Sequence, residues 1–297
     1  MTGSEPKANL QSFDFAKARI GDHRRSMNHR LFLKLILGLL LAVSLTSTAS
    51  AETAPKEEKA CAAGDLDACA DLGDMYIQGK IGDHWDFETH EAIAIPMLLD
   101  ACDRGGAKAC EVVGKFYLEV EMDPTLSTGY LIQGCNGGRA SSCSLIAHIL
   151  SSAKYGIAND EKAVAYNEKA CTLDARSIAC IGLADAYDLG KGVEKDIKKA
   201  STLLELSCAN NWKIACMRTA SRYKSGKGVD IDFAKAAAFS EAGCKEGLVE
   251  PCRTLGELYE TGGPNLPSNK KKARKYYKKA CKIYSPSSCD KVKALSK

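Results

Sequence analysis

Hydrophobic and small residues recur along this chain at fixed offsets from six regularly spaced cysteines. Three residues after each cysteine stands an apolar residue or a threonine, four after it a glycine or alanine, and seven after it a tyrosine or, once, a leucine. The six cysteines are Cys69, Cys110, Cys143, Cys180, Cys216 and Cys252. Offsets 0, 3, 4 and 7 lie on one face of an α-helix. The pattern therefore predicts six amphipathic helices, called the A helices below, each with a small residue at its closest approach to a neighbour.

A second helical pattern precedes the cysteine that follows each A helix. Alanine stands eight residues before most of these cysteines, and Met, Leu or an aromatic residue stands five before them. Glycine-rich turns such as 190–193 and 226–229 separate the two patterns, and Asp196 and Asp232 stand at the predicted start of the second helix, where a carboxylate can cap free backbone N–H groups. The chain is therefore predicted to be all-α, an α/α solenoid of paired A and B helices.

All fourteen cysteines of the chain fall into seven pairs, with seven or eight residues between the members of a pair. The pairs are Cys61/Cys69, Cys102/Cys110, Cys135/Cys143, Cys171/Cys180, Cys208/Cys216, Cys244/Cys252 and Cys281/Cys289. Successive pairs begin 33 to 41 residues apart, a period typical of solenoid repeats. The first cysteine ends a B helix and the second opens the next A helix, so the periodicity predicts a disulfide at each helix corner. The alternative is a set of metal thiolates, although zinc sites favour spacings of two to four residues.

Several motifs carry a family resemblance. They are Leu-Gly-x-x-Tyr at 72–76 and 255–259, Tyr-x-x-Gly-Lys-Gly-Val at 187–193 and 223–229, and Lys-Ala-Cys at 169–171 and 279–281. The chain resembles the Sel1-like repeat family, relatives of tetratricopeptide repeats, and in particular its secreted cysteine-rich branch, which includes the Helicobacter cysteine-rich proteins. The resemblance implies six Sel1-like repeats over residues 61–297, with a C-terminal capping helix from about Cys289. It also implies β-lactam binding or weak β-lactamase activity.

The N-terminal residues have the composition of an export signal. Residues 27–51 combine Arg30 and Lys34, an apolar run over 35–45 and Ala-Ser-Ala at 49–51, which is the plan of a secretory signal peptide. Residues 1–26 are then an N-terminal extension or a misassigned start, and 52–60 a short linker. We expect cleavage near Ala51 and a periplasmic or secreted protein, or an N-terminal membrane anchor if the segment stays uncleaved.

The charge balance argues against nucleic acid as a partner. Residues 1–51 hold seven basic and three acidic residues, which account for the whole net charge of +4. The chain that follows the predicted cleavage site is formally neutral, so the basic pI belongs to the export signal rather than to a nucleic-acid footprint.

The implied β-lactam chemistry directs attention to Ser-x-x-Lys, the serine–lysine pattern of β-lactamases. The pattern occurs five times, and the candidates taken from these matches are Ser151 with Lys154 and Ser221 with Lys224. Serine β-lactamases also carry a Ser-Asp-Asn and a Lys-Thr-Gly motif. The Lys-Ser-Gly sequence at 224–226 is similar to the second, but the chain has no Ser-Asp-Asn motif. The sequence therefore leaves the catalytic residues unknown, and it calls for no cofactor.

A polar position on the A helices is the candidate binding surface. Five residues after the second cysteine of each pair stand Asp74, Lys115, His148, Asp185, Ser221 and Glu257, called the polar row below. Offsets 1 and 8 continue the same stripe with Glu111, Arg253, Ser151, Asp188, Lys224 and Glu260. In tetratricopeptide-like stacks the A helices line the concave groove, the usual binding surface of a solenoid. The alternative is that any exposed helix face is polar.

Two further features have simpler interpretations than a binding site. The first-repeat loop 82–91 contains His84 and His90, but we expect an acidic solvated loop rather than a metal site, and His148 on its A helix is expected to be a surface residue. The last B helix carries eight Lys and Arg residues between 270 and 282, with Tyr276 at the expected core position. Those cations are typical of a solvated terminal helix, although an anionic partner or membrane surface would also fit.

Two functions follow from different classes of argument. The repeat architecture favours an exported, monomeric scaffold that binds a protein or peptide in its groove. The family resemblance favours a β-lactam-binding protein or weak β-lactamase with a β-lactam or peptidoglycan-related ligand. The scaffold is the preferred prediction because the residues supply repeats and a polar row, but no convergent acid, base and nucleophile.

Overall fold

The computed structural model describes residues 56–80 and 87–296, with side chains in the second range described from Glu91. Within these ranges the helices are α1 (Lys56–Ala62), α2 (Leu66–Ile77), α3 (Phe87–Asp103), α4 (Ala107–Glu119), α5 (Pro124–Asn136), α6 (Ala140–Ser151), α7 (Asp160–Leu173), α8 (Ala179–Leu189), α9 (Ile197–Ala209), α10 (Lys213–Ser225), α11 (Phe233–Lys245), α12 (Val249–Thr261), α13 (Lys270–Lys282) and α14 (Pro286–Ala294). A short 3₁₀ turn, Ala153–Tyr155, follows α6. The all-α prediction is confirmed. The predicted signal peptide and the side chains of His84 and His90 lie outside the described residues.

The A helices are α2, α4, α6, α8, α10 and α12, and they bury the predicted face. In α4 the residues at offsets 0, 3, 4 and 7, which are Cys110, Val113, Gly114 and Tyr117, are all buried. In α12 the same offsets bury Cys252, Leu255, Gly256 and Tyr259. Because the apolar stripe of an isolated A helix would face water, its burial against a B helix is what stabilises each pair.

The small residue at offset 4 sets how closely the two helices of a pair approach. A Cβ placed on Gly114 would lie 2.6 Å from Leu131 Cγ of α5, and one placed on Gly256 would lie 2.5 Å from Tyr277 Cδ1 of α13. Both distances are too short for a carbon contact. Glycine at these two positions is therefore required by the packing of large B-helix side chains directly on the A-helix backbone.

The B helices begin at the predicted side-chain caps. Asp196 Oδ1 accepts a hydrogen bond from the Lys199 backbone N–H at 2.9 Å, and Asp232 Oδ1 accepts one from Lys235 at 2.9 Å. In the second repeat, where the glycine-rich turn is missing, Asp123 caps α5 instead and Pro124 occupies its first position. Each cap satisfies backbone donors that a helix start otherwise leaves without a partner.

All seven predicted disulfides are present, and they join the cysteines in the predicted pairs. Their Cα–Cα distances run from 4.5 Å to 5.0 Å, within the range that a disulfide requires. No free cysteine occurs among the described residues, so the metal-thiolate alternative is excluded for these fourteen side chains.

Stacked tyrosines join the two helices of a pair, and one of them also reaches the preceding pair. Tyr117 stacks on Tyr130 with ring centroids 5.4 Å apart, and Tyr259 stacks on Tyr276 at 5.7 Å. In the last pair the fully buried ring belongs to Tyr277, whereas Tyr276, expected at the core position, is half-buried. Tyr276 OH donates to Glu241 Oε1 of the preceding B helix at 2.9 Å, and burial together with this bond raises its pKa to about 12.

The chain forms two compact units. One contains α1 to α6 and runs to Ala158, and the other begins at Asn159 and contains α7 to α14. The boundary falls between α6 and α7, which the periodicity assigns to the same third repeat. Helix α1 begins at Lys56, inside the predicted linker, and α14 begins at Pro286, three residues before the expected start of the capping helix. In the described part of the chain no helix is long and apolar enough to cross a membrane.

Candidate functional site

The polar row lies on the accessible side of the A helices in both units. In the first unit Asp74 is half-buried and accepts a hydrogen bond from Gln78 Nε2 at 2.6 Å, and Lys115 is exposed. His148 is also exposed, as expected, and its ring meets the edge of Tyr155 at a centroid distance of 6.2 Å. In the second unit Asp185 and Glu257 are half-buried and Ser221 is exposed. The residues are therefore placed where a partner can reach them.

A buried carboxylate anchors the row in the first unit. Glu111, one turn before Lys115, is only 3% exposed. Its Oε1 accepts from Lys115 Nζ at 2.6 Å, and its Oε2 accepts from Arg139 Nε at 2.8 Å and Ser141 Oγ at 2.5 Å. Burial alone would raise the pKa of Glu111, but the three donors outweigh it and hold that pKa below its usual range. Because Arg139 and Ser141 lie at the start of α6, this carboxylate joins two successive A helices.

Ion pairs between successive A helices continue in the second unit. Asp185 of α8 pairs with Arg218 of α10, and Lys224 Nζ of α10 donates to Glu257 Oε2 of α12 at 2.7 Å. Glu260 of α12 accepts from Lys291 Nζ of α14 at 2.9 Å. Glu260 also accepts from Tyr277 OH at 2.7 Å, and this bond, with Lys291 beside it, lowers its pKa. The row and its neighbours are thus a ladder of charges that holds adjacent repeats in register.

The most buried rung of this ladder is a pair that the sequence analysis did not identify. Arg222 Nη2 pairs with Asp188 Oδ2, with side chains only 5% and 8% exposed, and Arg222 Nη1 donates to Ser201 Oγ at 2.8 Å. Lys227 Nζ also donates to Asp188 Oδ2, at 3.2 Å, whereas Asp188 Oδ1 has no partner among the described residues. The repeats themselves indicate that Arg222 is unusual, because the other repeats have an apolar residue at its position, six residues after the second cysteine of the pair. The corresponding residues are Met75, Phe116, Ile149, Ala186 and Leu258.

The serine and lysine candidates for β-lactam chemistry have other contacts. Ser151 Oγ donates to the His148 carbonyl at 3.1 Å, and Lys154 Nζ lies 5.2 Å from the centre of the Tyr155 ring. Lys224, the candidate partner of Ser221, is held by Glu257. In this arrangement Lys224 neutralises the Glu257 carboxylate and Lys154 lies over the Tyr155 ring. The catalytic role of Ser151 and Ser221 stays a prediction.

An open cleft of about 840 Å³ lies away from these candidates, beside the start of α9. Its lining includes Tyr187, Val193, Lys195, Ile197 and Gly228. Tyr187 OH donates to Glu168 Oε1 at 3.0 Å and accepts from Lys199 Nζ. The cleft is formed by an A-helix tyrosine and the cap of the following B helix, and it contains none of the residues of the polar row. Across the described residues, no group of three His, Cys, Asp or Glu side chains is placed to hold a metal ion.

Comparison with known proteins places these repeats in a family. The Sel1 repeat family matches residues 66–86, 147–174, 177–212, 213–248 and 252–283, just over half of the chain. Among curated proteins, the chain is 30% identical over 146 residues to cytochrome c oxidase assembly factor 7 of Xenopus tropicalis. That alignment covers 46% of this chain and 61% of the relative, so the chain spans about three fifths of the relative's length.

The fold is shared with a solved structure. The structure of c5321, described as a protective antigen present in uropathogenic Escherichia coli strains displaying an SLR fold, matches 80% of this chain and 50% of its own length. The TM-score is 0.66 at 21% sequence identity, which shows a shared fold. Helicobacter pylori cysteine rich protein B matches 55% of this chain and 95% of its own, with 24% identity and a TM-score of 0.28. From its matched repeats and its disulfide-linked helix pairs, this chain belongs to the Sel1 repeat family.

Proposed function

We propose that this chain is an exported scaffold that binds a protein or peptide partner along the polar row. The observation that carries the proposal is the ladder of ion pairs between A helices, which fixes a charged surface in one geometry. Such a surface does not have to be ordered when a partner binds, so less of the binding energy is lost to side-chain entropy. His148 and Ser221 remain exposed beside the ladder and supply hydrogen-bonding groups for a partner.

Family membership supports the same class of function. Sel1 repeats form helical arrays, and arrays of this kind commonly act by holding other proteins on an extended surface. The curated relative is named an assembly factor, a name that describes a role in assembling another protein rather than a reaction. By analogy, this chain would hold a partner protein during assembly or display without changing it chemically.

The disulfides support the export half of the proposal. Seven bridges in one chain are stable in an oxidising compartment and rare in a reducing one. The segment 27–51 has the plan of a signal peptide, so cleavage near Ala51 would release the repeats into the periplasm or the medium. N-terminal sequencing of the protein purified from the cell envelope tests this, and we expect Glu52 as the first residue.

Site-specific photo-cross-linking tests the binding surface. A photo-reactive amino acid is placed at His148 or Ser221 in the polar row and, as a matched exposed control, at Thr202 on B helix α9. We expect a discrete adduct from the two row positions and none from Thr202. Equal labelling at all three positions, or labelling at Thr202 alone, would contradict the proposed surface. Covalent labelling by a fluorescent penicillin that is lost in Ser221→Ala would support the enzyme prediction instead.

A further inference from the structure

The charges of the chain are separated along its length. Residues 52–103 hold thirteen acidic and three basic residues, residues 104–269 hold twenty of each, and residues 270–297 hold eleven basic and one acidic residue. Residues 52–103 therefore carry a formal charge of −10 and residues 270–297 carry +10, with a neutral stretch between them. Opposite charges of this size on separate parts of one chain generate complementary electrostatic fields.

The positive charge is concentrated on the exposed side of α13. Ala273, Tyr277 and Ala280 face the core, and the opposite side carries cations spaced four, three and four residues apart. These are Lys271, Lys275, Lys278 and Lys282, all exposed, and together they are called the basic stripe. None of the four forms an ion pair with a carboxylate of the described residues, in contrast to the paired lysines of the ladder. The stripe is therefore left for an external anionic partner.

A strained and exposed tyrosine lies at the C-terminal end of the stripe. Tyr284 stands three residues after Cys281, and the same position in other repeats is held by Gly64, Gly105, Gly138, Asn211 and Gly247, all with positive φ. Tyr284 adopts φ 71° and is 94% exposed, so no packing of its ring compensates for a left-handed backbone. Exposed tyrosines of this kind are typical anchors of protein interfaces.

The negative counterpart lies on the first helices. Glu57 and Glu58 occupy the first turn of α1, and Asp67 the first turn of α2, with Glu58 and Asp67 exposed. These three carboxylates are called the acidic face. Within the part of the chain that the structure describes, they form no ion pair with a basic side chain. The acidic face holds three carboxylates, with Lys56 and Lys59 beside two of them on α1, and the basic stripe holds four lysines. The two surfaces are opposite in sign, and neither forms an ion pair within the described residues.

We propose that copies of this protein associate with one another, with the basic stripe and Tyr284 of one copy seated on the acidic face of the next. A second copy is the partner that the charges favour, because its residues 52–103 carry a formal charge of −10 and residues 270–297 of the first copy carry +10. The neutral stretch 104–269 adds no net repulsion between the copies. Since the two surfaces differ, the interface is heterologous and leaves one surface free at each end of the assembly. The inference is independent of the polar row, and its failure would leave the proposed scaffold function untouched.

Sedimentation of the purified, oxidised protein tests the association. The Debye length is about 30 Å at 0.01 M salt and about 3 Å at 1 M, so an interface of opposed charges should be strong in the first condition and screened in the second. We expect an average mass above that of a dimer at low salt, rising with protein concentration, and monomers at high salt. Monomers under both conditions, or association that salt does not weaken, would overturn the proposal.

Two variants then separate the two surfaces. The first replaces the four lysines of the basic stripe with Gln, and the second carries Glu57→Gln, Glu58→Gln and Asp67→Asn. Each variant alone retains one functional surface and should be monomeric at low salt. An equimolar mixture retains one complete interface, so we expect a discrete 1:1 complex that grows no further. A mixture that stays monomeric while the wild type associates would overturn the assignment of these surfaces.

Further controls exclude loss of folding and general charge effects. Lys162, Lys195, Lys198 and Lys245 are exposed and lie in the neutral stretch, and their replacement by Gln removes the same charge as in the stripe variant. We expect this control to associate like the wild type, with circular dichroism unchanged in all variants and melting unchanged in the charge variants. Tyr284→Gly removes the aromatic anchor while relieving the backbone, and we expect it to weaken association at least tenfold. Binding of the stripe to vesicles of anionic lipid, with no self-association, would assign the surface to a membrane and refute the proposal.

Discussion

The buried pair between Asp188 and Arg222 yields the sharpest prediction on stability. Arg222→Leu removes a guanidinium that is 5% exposed and leaves Asp188, 8% exposed, without its closest counter-charge. Breaking a buried ion pair from one side costs about 3–5 kcal/mol of the free energy of unfolding. Because Lys227 at 3.2 Å and Arg218 at 3.8 Å still reach Asp188 Oδ2, we expect a loss near the lower end, about 3 kcal/mol.

The double variant Asp188→Leu with Arg222→Leu should restore most of that loss. It replaces both charges with a residue that other repeats already carry at these offsets, Leu118 and Leu258. Replacing a buried pair by packed apolar groups is often neutral or stabilising, so we expect the double variant to be more stable than Arg222→Leu alone. It also removes the carboxylate oxygen of Asp188 that has no partner in the described residues.

Urea titration of the oxidised protein measures these free energies, and an exposed pair provides the matched control. Lys213 and Glu246 join α10 to the residue after α11 with side chains more than half exposed, so Lys213→Met should cost less than about 1 kcal/mol. The reasoning is refuted if Arg222→Leu costs no more than Lys213→Met. It is also refuted if the two single changes at the buried pair are additive in the double variant, since that would mean the two charges do not interact.

Three further predictions concern Glu111, Gly256 and Tyr284. The pKa of Glu111 is lower in the folded protein than in the unfolded chain, so its contribution to stability is present above about pH 4.5 and is lost as the pH falls through the folded value. Urea midpoints measured against pH should therefore fall less steeply below about pH 4.5 in Glu111→Gln than in the wild type. Gly256→Ala places a Cβ 2.5 Å from the buried ring of Tyr277 and should lower the free energy of unfolding by about 1–3 kcal/mol. Tyr284→Gly should raise it by about 1 kcal/mol, measured by urea titration, because glycine adopts φ 71° without strain.

Each of these three predictions has a result that would contradict it. Gly182→Ala, where a Cβ would meet only the flexible Asn167 amide at 3.2 Å, should not destabilise the protein, and a loss as large as that of Gly256→Ala would contradict the packing argument. Parallel pH curves for Glu111→Gln and the wild type would show that this carboxylate is not the acid-sensitive group. A destabilised Tyr284→Gly variant would show that the ring does contact the fold.

The A helices and the disulfides could be predicted because their determinants are local. Cysteines eight or nine residues apart and core positions within two turns leave little freedom in how the segment folds, and Asp196 and Asp232 cap the helices that the pattern placed there. The ladder could be predicted only as a polar stripe. Asp185 and Arg218 are 33 residues apart, and their contact depends on how neighbouring repeats are rotated, which the period does not determine.

Other features escaped the sequence analysis for the same physical reason. Tyr276 and Tyr277 are both aromatic, and which ring enters the core depends on the rotation of α13 about its axis rather than on composition. Arg222 breaks the apolar pattern of its offset, and only the nearby Asp188 and Ser201 make its burial tolerable. The boundary between the two units, at residue 158, carries no mark in the cysteine period.

The short range of the seven disulfides determines how the chain can oxidise. Every bridge joins a cysteine to the next one along the sequence, so the native bonds can form in chain order whenever a chain enters an oxidising compartment from its N-terminus. The nearest wrong pairing, from the second cysteine of one pair to the first of the next, closes a loop about three to four times longer and costs about 1 kcal/mol more in chain entropy. A native pair is also complete before the competing cysteine has appeared. The order of the cysteines along the chain therefore favours the native bonds over shuffled ones.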